Sequence, residues 1–163
     1  MPGKYQNRIA DFLRTENETV IGHLAIGVTN HQLLIQQRIS WDHQITFLKE
    51  TFNHLPTDWH VILEYPIPRR SKRIDIILLT NDLIFVIEFK DNETRYSTDA
   101  INQVEDYSLD LRDFHKQSTL KTLIPVVWAS VASDKSNHPV ESSDILILSH
   151  PTFSIKALDL LSF

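Results

Sequence analysis

The chain has 163 residues, 42% hydrophobic, 9% aromatic and 23% charged, an ordinary globular balance in a length that buries about 70% of the unfolded surface. It has no cysteine, and its glycines are Gly3, Gly22 and Gly27. Disulfide frameworks, thiolate metal sites, cysteine nucleophiles and glycine-rich phosphate loops are therefore excluded. Sixteen Lys and Arg against 21 Asp and Glu give a net charge of −5, yet Arg69, Arg70, Lys72 and Arg73 place four positive charges within five residues, a local anion site on an acidic body.

No repeat or low-complexity linker divides the sequence, so a single domain over 1–163 is expected, with a helical part over 1–54 and a core over 59–150. The longest apolar runs, around Ile74 to Leu79 and Leu83 to Ile87, fall far short of the ~20 residues of a spanning helix. The opening Met1-Pro2-Gly3-Lys4-Tyr5 lacks the pattern of a signal peptide. No membrane partner is expected, and a cysteine-free chain fits a reducing cytosol.

In chain order, residues 4 to about 54 read as helical. Ile9, Phe12 and Leu13 stand at helical spacing, then Ile39, Ile45, Leu48 and Phe52 in a second helix that Ser40 or Asp42 would cap. Short runs rich in Ile, Val and Leu follow over 60–66, 73–80 and 83–90, and read as strands. Over 98–115, Ile101, Val104, Leu111 and Phe114 predict a helix with Asp99 as its cap. Two more strands are expected over 123–130 and 144–149, with a surface loop over 132–143 between them.

Asn81-Asp82 suits a tight hairpin turn, and a turn centred there pairs residues whose numbers sum to 163. Asp75 then lies across from Glu88 on the same face, with Cβ atoms about 4.5–5.5 Å apart. Like charges so placed are unfavourable unless a proton or a cation separates them, and Mg²⁺ is commonly held by one or two carboxylates. Lys90, two residues beyond Glu88, shares that face. The plainer alternative is a surface salt bridge at a strand end.

A second hairpin centred between Arg69 and Arg70 would bring Glu64 opposite Asp75, although Pro66 and Pro68 put that register in question. A structural hydrogen-bonding role for Glu64 competes with metal ligation. The basic run Arg69, Arg70, Lys72, Arg73 could fork onto phosphates, joined by Arg95 and Lys116, or be a solvated turn. Trp41, Trp59 and Trp128 read as core before base-stacking surfaces. The histidines show no zinc-ligand spacing, and His115 is placed to stabilise a helix C-terminus.

These residues resemble the PD-(D/E)XK, or restriction-endonuclease-like, nuclease superfamily. The likeness lies in Asp75, then Glu88-Phe89-Lys90 on the next strand, then a helix in which Gln103 and Tyr107 look like the QxxxY motif of the RecB-like branch. Glu64 to Arg70, Lys72 to Asp75 and the helix of Trp41 look like the N-terminal nuclease-like module of bacterial proteins that continue into a helicase-like P-loop ATPase. The resemblance implies an α/β fold, with an αβββαβ core, a mixed central sheet flanked by helices and an N-terminal helical extension. It implies Mg²⁺- or Mn²⁺-dependent hydrolysis of nucleic acid, DNA before RNA, with Asp75 and Glu88 as ligands and Lys90 orienting water. Gln103 and Tyr107 would join the catalytic group. A third acid would come from Glu50 or Glu64, and Ile74 replaces the proline of the motif. Nucleic acid is the expected partner, beside a helicase-like ATPase, with oligomeric state open. A catalytically silent module that binds nucleic acid or a protein is the competing reading.

Overall fold

Six strands pair side by side in chain order, and the computed structural model describes residues 3–67, 71–115, 118, 121–131 and 146–149. β1 (Tyr5–Arg8), β2 (His60–Pro66), β3 (Arg73–Leu79) and β4 (Leu83–Lys90) are antiparallel, and β5 (Thr122–Ala129) and β6 (Leu146–Ser149) continue parallel to β4. Helices α1 (Ile9–Arg14), α2 (Asn17–Ala25) and α3 (His31–Phe52) cover one face. On the other lies α4 (Thr98–Phe114), the crossover that a parallel pair such as β4 and β5 requires. The series α3-β2-β3-β4-α4-β5 is the expected αβββαβ core, in a mixed sheet of the α/β class. Among the described residues no helix is long and apolar enough to cross a membrane.

The β3–β4 hairpin has the register that its turn dictates. Ile76 pairs with Ile87 and Leu79 with Ile84, all pairs summing to 163. Thr80 closes the turn, its hydroxyl accepting from the amides of Leu83 at 2.9 Å and Asp82 at 3.3 Å. The β2–β3 register sums to 139 on both flanks, with Leu63 opposite Ile76 and Tyr65 opposite Ile74. Pro66 closes that ladder opposite Arg73 and leaves its register intact.

Several local expectations are corrected. Tyr5–Arg8 is an edge strand paired to β2, not helix. Gly3 leads into it so closely over β2 that a Cβ there would stand 2.9 Å from the Leu63 carbonyl oxygen. α3 is capped by Asn30, whose side chain accepts from the Leu33 amide, and not by Ser40 or Asp42, which lie inside the helix. Its first half faces water, and Ile39 is exposed. Ser97 rather than Asp99 caps α4, accepting from the Ala100 amide. Trp41 and Trp128 are core, with Trp59 packed against them. Residues 144–145 and the expected loop over 132–143 lie outside the described residues.

Candidate active site

Along β4 the side chains alternate as a two-residue period demands. Phe85, Ile87 and Phe89 join the core under α1–α3, and Ile84 and Val86 the core under α4. Glu88 and Lys90 continue the second series and so face α4. Lys90 Nζ donates to Glu88 Oε1 at 2.7 Å, and the Glu88 side chain is 4% exposed against 29% for Lys90. From α4, Gln103 and Tyr107 sit one helical turn apart, the Gln103 amide donating to the Tyr107 hydroxyl at 2.8 Å. Lys72 closes the group with its ammonium 5.8 Å from the Tyr107 ring centre.

Asp75 arrives by a different route. Ile76 and Leu78 belong to the α1–α3 core, as do Val61 and Leu63 on β2, yet Ile74 and Tyr65 belong to the α4 core. Residues two apart on a regular strand share a face, so both strands change face between these positions. The residues at the change are Asp75 and Glu64, the one rung missing from an otherwise continuous register. Glu64 has φ +52°, a left-handed conformation that strains a non-glycine residue by roughly 1–3 kcal/mol and persists only where surroundings enforce it. The surroundings are visible. Glu64 Oε1 accepts from Trp41 Nε1 at 3.1 Å, and Oε2 pairs with Arg73 Nε at 2.9 Å. Asp75, part-buried, accepts from the Phe89 amide through Oδ2 at 3.0 Å.

The electrostatics follow from this crowding. Burial first, and then the facing Glu88 carboxylate, push Asp75 well above the usual aspartate range, against the Phe89 amide and Lys90. Burial also raises Glu88, with Lys90 opposing and Glu64 assisting. Burial pulls the Lys90 ammonium down, but its bond to Glu88 and the charges of Glu88 and Asp75 outweigh that and hold it above its ordinary value. Tyr107 is raised by burial, against its bond from Gln103, and by the same two acids. All four behave as one electrostatic unit.

A family model described as type I restriction enzyme R protein N terminus matches residues 4–140. The chain belongs to that family. No curated protein and no solved structure matches it. The family is restriction-endonuclease-like and nuclease-related, and the matched span contains Asp75, Glu88, Lys90, Gln103 and Tyr107.

In this chain the two acids are of the kind that could hold a small oxygen-seeking dication. Glu88 Oε2 is buried with no close hydrogen bond of good geometry, although Gln103 approaches Glu88 and lowers its pKa, and the Glu88 carboxylate raises the cost of ionising Asp75. Among the described residues no group of three or more His, Asp or Glu gathers as a ligand set. Glu64 is near enough to raise both acids, but its two oxygens are engaged by Trp41 and Arg73. Glu50 is exposed on α3, more than two turns beyond Trp41. Lys72, Arg73 and Arg95 are exposed, Lys72 and Arg73 at the entrance to β3; Arg69, Arg70 and Lys116 lie outside the described residues. Two contacts escaped the sequence reading: the Phe89 amide bond to Asp75 and the Trp41 bond to Glu64. Spacing along the chain carries no signal for either.

Proposed function

We propose that this domain is a metal-dependent nuclease hydrolysing nucleic-acid phosphodiesters, DNA before RNA, with Mg²⁺ or Mn²⁺ held by Asp75 and Glu88. The observation that carries the reading is the convergence of two buried or part-buried acids, Asp75 and Glu88, with the Lys90 ammonium 2.7 Å from Glu88 Oε1 and Gln103 beside it on the α4 side. Bound there, the cation would polarise a phosphoryl oxygen and lower the pKa of its water. Lys90 contributes positive charge where negative charge develops on the phosphate and N–H groups to orient the attacking water. Gln103 and Tyr107 hold the α4 wall of the site. Lys72 and Arg73, with Arg69 and Arg70, lead nucleic-acid backbone toward it.

In this reading Gln103 and Tyr107 are a QxxxY pair that aligns the domain with the RecB-like branch. The module works within or beside a protein carrying a helicase-like ATPase, a reading supported by the match to the type I restriction enzyme R protein N-terminal family. Incubation with circular single-stranded and linear duplex DNA in Mn²⁺ tests the assignment. Wild type should cut, and Asp75→Ala, Glu88→Ala and Lys90→Ala should not. Unchanged cleavage in any folded variant would overturn it, and cutting of the circle identifies an endonuclease.

A further inference from the structure

The acid that the nuclease reading assigns to the metal lacks the β2 rung that the flanking register would give it, and the cause lies one strand away. We infer that Glu64 is a positioning residue and not a metal ligand. Clamped between the Trp41 indole and the Arg73 guanidinium, it holds the β2 distortion that releases Asp75 from the β2–β3 ladder into the site. The inference rests on the nuclease reading for what the site holds, but the clamp is a property of the chain itself.

Four observations converge. The Glu64–Asp75 rung is absent although the register is unchanged on both sides of it. Both strands change face at that rung, and Glu64 carries the left-handed φ. Each Glu64 oxygen has its own donor, from opposite directions: Trp41 is a buried residue of α3, and Arg73 is an exposed residue of β3. A third group then secures the kinked segment from the β1 side. The Lys4 amide donates to the carbonyls of Leu63 at 3.1 Å and Glu64 at 3.4 Å. Its ammonium donates to the Leu24 and Ile26 carbonyls and lies 6.0 Å from the Trp41 ring centre. The kink is thus tied to the end of α2, to α3 and to β3.

The consequence appears on β4. Freed from pairing, Asp75 is captured by the Phe89 amide, one residue from Glu88. Ligating a cation through Glu64 would require surrendering one of its two donors and with it the restraint on the kink. Residues that hold a ligand in place without touching the metal tune metal sites, and removing such partners typically weakens metal affinity 10- to 100-fold.

The test compares wild type, Trp41→Phe, Glu64→Ala and Asp75→Ala in the full chain. It uses calorimetric titration with Mn²⁺ alone and the NMR shift of the Phe89 amide proton in metal-free protein. Trp41→Phe keeps an aromatic ring in the core and removes the donor. Positioning predicts that Trp41→Phe and Glu64→Ala each weaken Mn²⁺ binding about 10-fold or more and move the Phe89 amide signal upfield, toward its position in Asp75→Ala. If Glu64→Ala loses Mn²⁺ while Trp41→Phe binds normally with an unmoved amide signal, Glu64 is a direct ligand and the inference fails. It fails equally if both variants match wild type. Should Trp41→Phe not fold, Arg73→Gln opens the clamp from its exposed side with the same readouts. If wild type itself binds no Mn²⁺, the nuclease reading falls, and the metal-free amide shift still decides for or against the clamp.

Discussion

The Phe89 amide donates to Asp75 Oδ2 at 3.0 Å, so the carboxylate that leaves one strand pair terminates the hydrogen bonding of the next. This bond holds Asp75 beside Glu88 although the Glu88 carboxylate raises the cost of ionising Asp75.

The metal-free protein should therefore resist ionisation of the pair. Both acids have folded pKa values above their unfolded ones, so the fold binds more protons than the unfolded chain over the interval between them. Stability from this source is full below the ordinary carboxylate range, near pH 4, and is lost as pH rises through the raised values. Asp75→Asn keeps an oxygen for the Phe89 amide and removes one charge. In EDTA at pH 8 it should be more stable than wild type by up to about 1 kcal/mol, the scale of apposed like charges, with a flatter pH profile. Urea unfolding between pH 4.5 and 8 measures both, in this range of roughly one carboxylate titration. The same substitution should abolish stabilisation by Mn²⁺, which ligand linkage otherwise adds as RT ln(1 + [L]/Kd).

Lys90 and Glu88 should prove energetically coupled. Lys90→Met leaves a Glu88 side chain that is 4% exposed without its donor, and a buried charged acceptor so stranded destabilises by about 1–3 kcal/mol. Adding Glu88→Gln removes the stranded charge. The double variant should recover part of the loss, with an interaction of at least about 0.5 kcal/mol in a thermodynamic cycle. Strictly additive unfolding free energies would show that the 2.7 Å contact contributes nothing.

The β3–β4 hairpin was legible because its information is local. A turn of fixed length and a two-residue period determine which side chains meet, and Asp75, Glu88 and Lys90 followed from arithmetic. α4 was legible in the same way, through Val104 and Leu111, to which the structure adds Ala100 and Tyr107 as the rest of the buried stripe. β1 was not, because Tyr-Gln-Asn-Arg has no alternation and becomes a strand by pairing with β2. The start of α3 was hidden for another reason. Leu33, Ile35 and Ile39 are exposed, so the apolar stripe that marks a helix begins near Trp41, well after the Asn30 cap. The left-handed Glu64 accepts from an indole 23 residues away, and no periodicity encodes that.

Tyr107 should matter to the reaction more than to the fold. Its hydroxyl accepts from Gln103, and Gln103 lies near enough to Glu88 to lower that acid's pKa. Tyr107→Phe retains the ring that packs in the α4 core and supports Lys72. Stability should fall by no more than about 0.5–1.5 kcal/mol, the net worth of one hydrogen bond. Cleavage in Mn²⁺ should fall about 10- to 100-fold, as when partners that orient a metal site are lost. The effect should lie in kcat, with KM for DNA unchanged. A variant that cuts at the wild-type rate would remove the Gln103–Tyr107 pair from the catalytic group.

Lys72 should act on the substrate's backbone and not on its bases. The side chain is exposed at the mouth of the site, with its ammonium over the Tyr107 ring, a placement that directs positive charge toward a strand entering beside α4. Each phosphate neutralised by such a group releases counterions, so binding weakens with salt by a slope of ~0.9 per contact on duplex and ~0.7 on single strands. Lys72→Ala, measured with the metal-silent Asp75→Asn background to prevent cutting, should lower that slope by about one contact and weaken binding uniformly across unrelated sequences. Arg95→Ala serves as the comparison, an exposed cation in the loop before α4. An unchanged slope for Lys72→Ala would place the nucleic-acid path elsewhere on the domain, whereas a change confined to one sequence would mean that Lys72 reads a base.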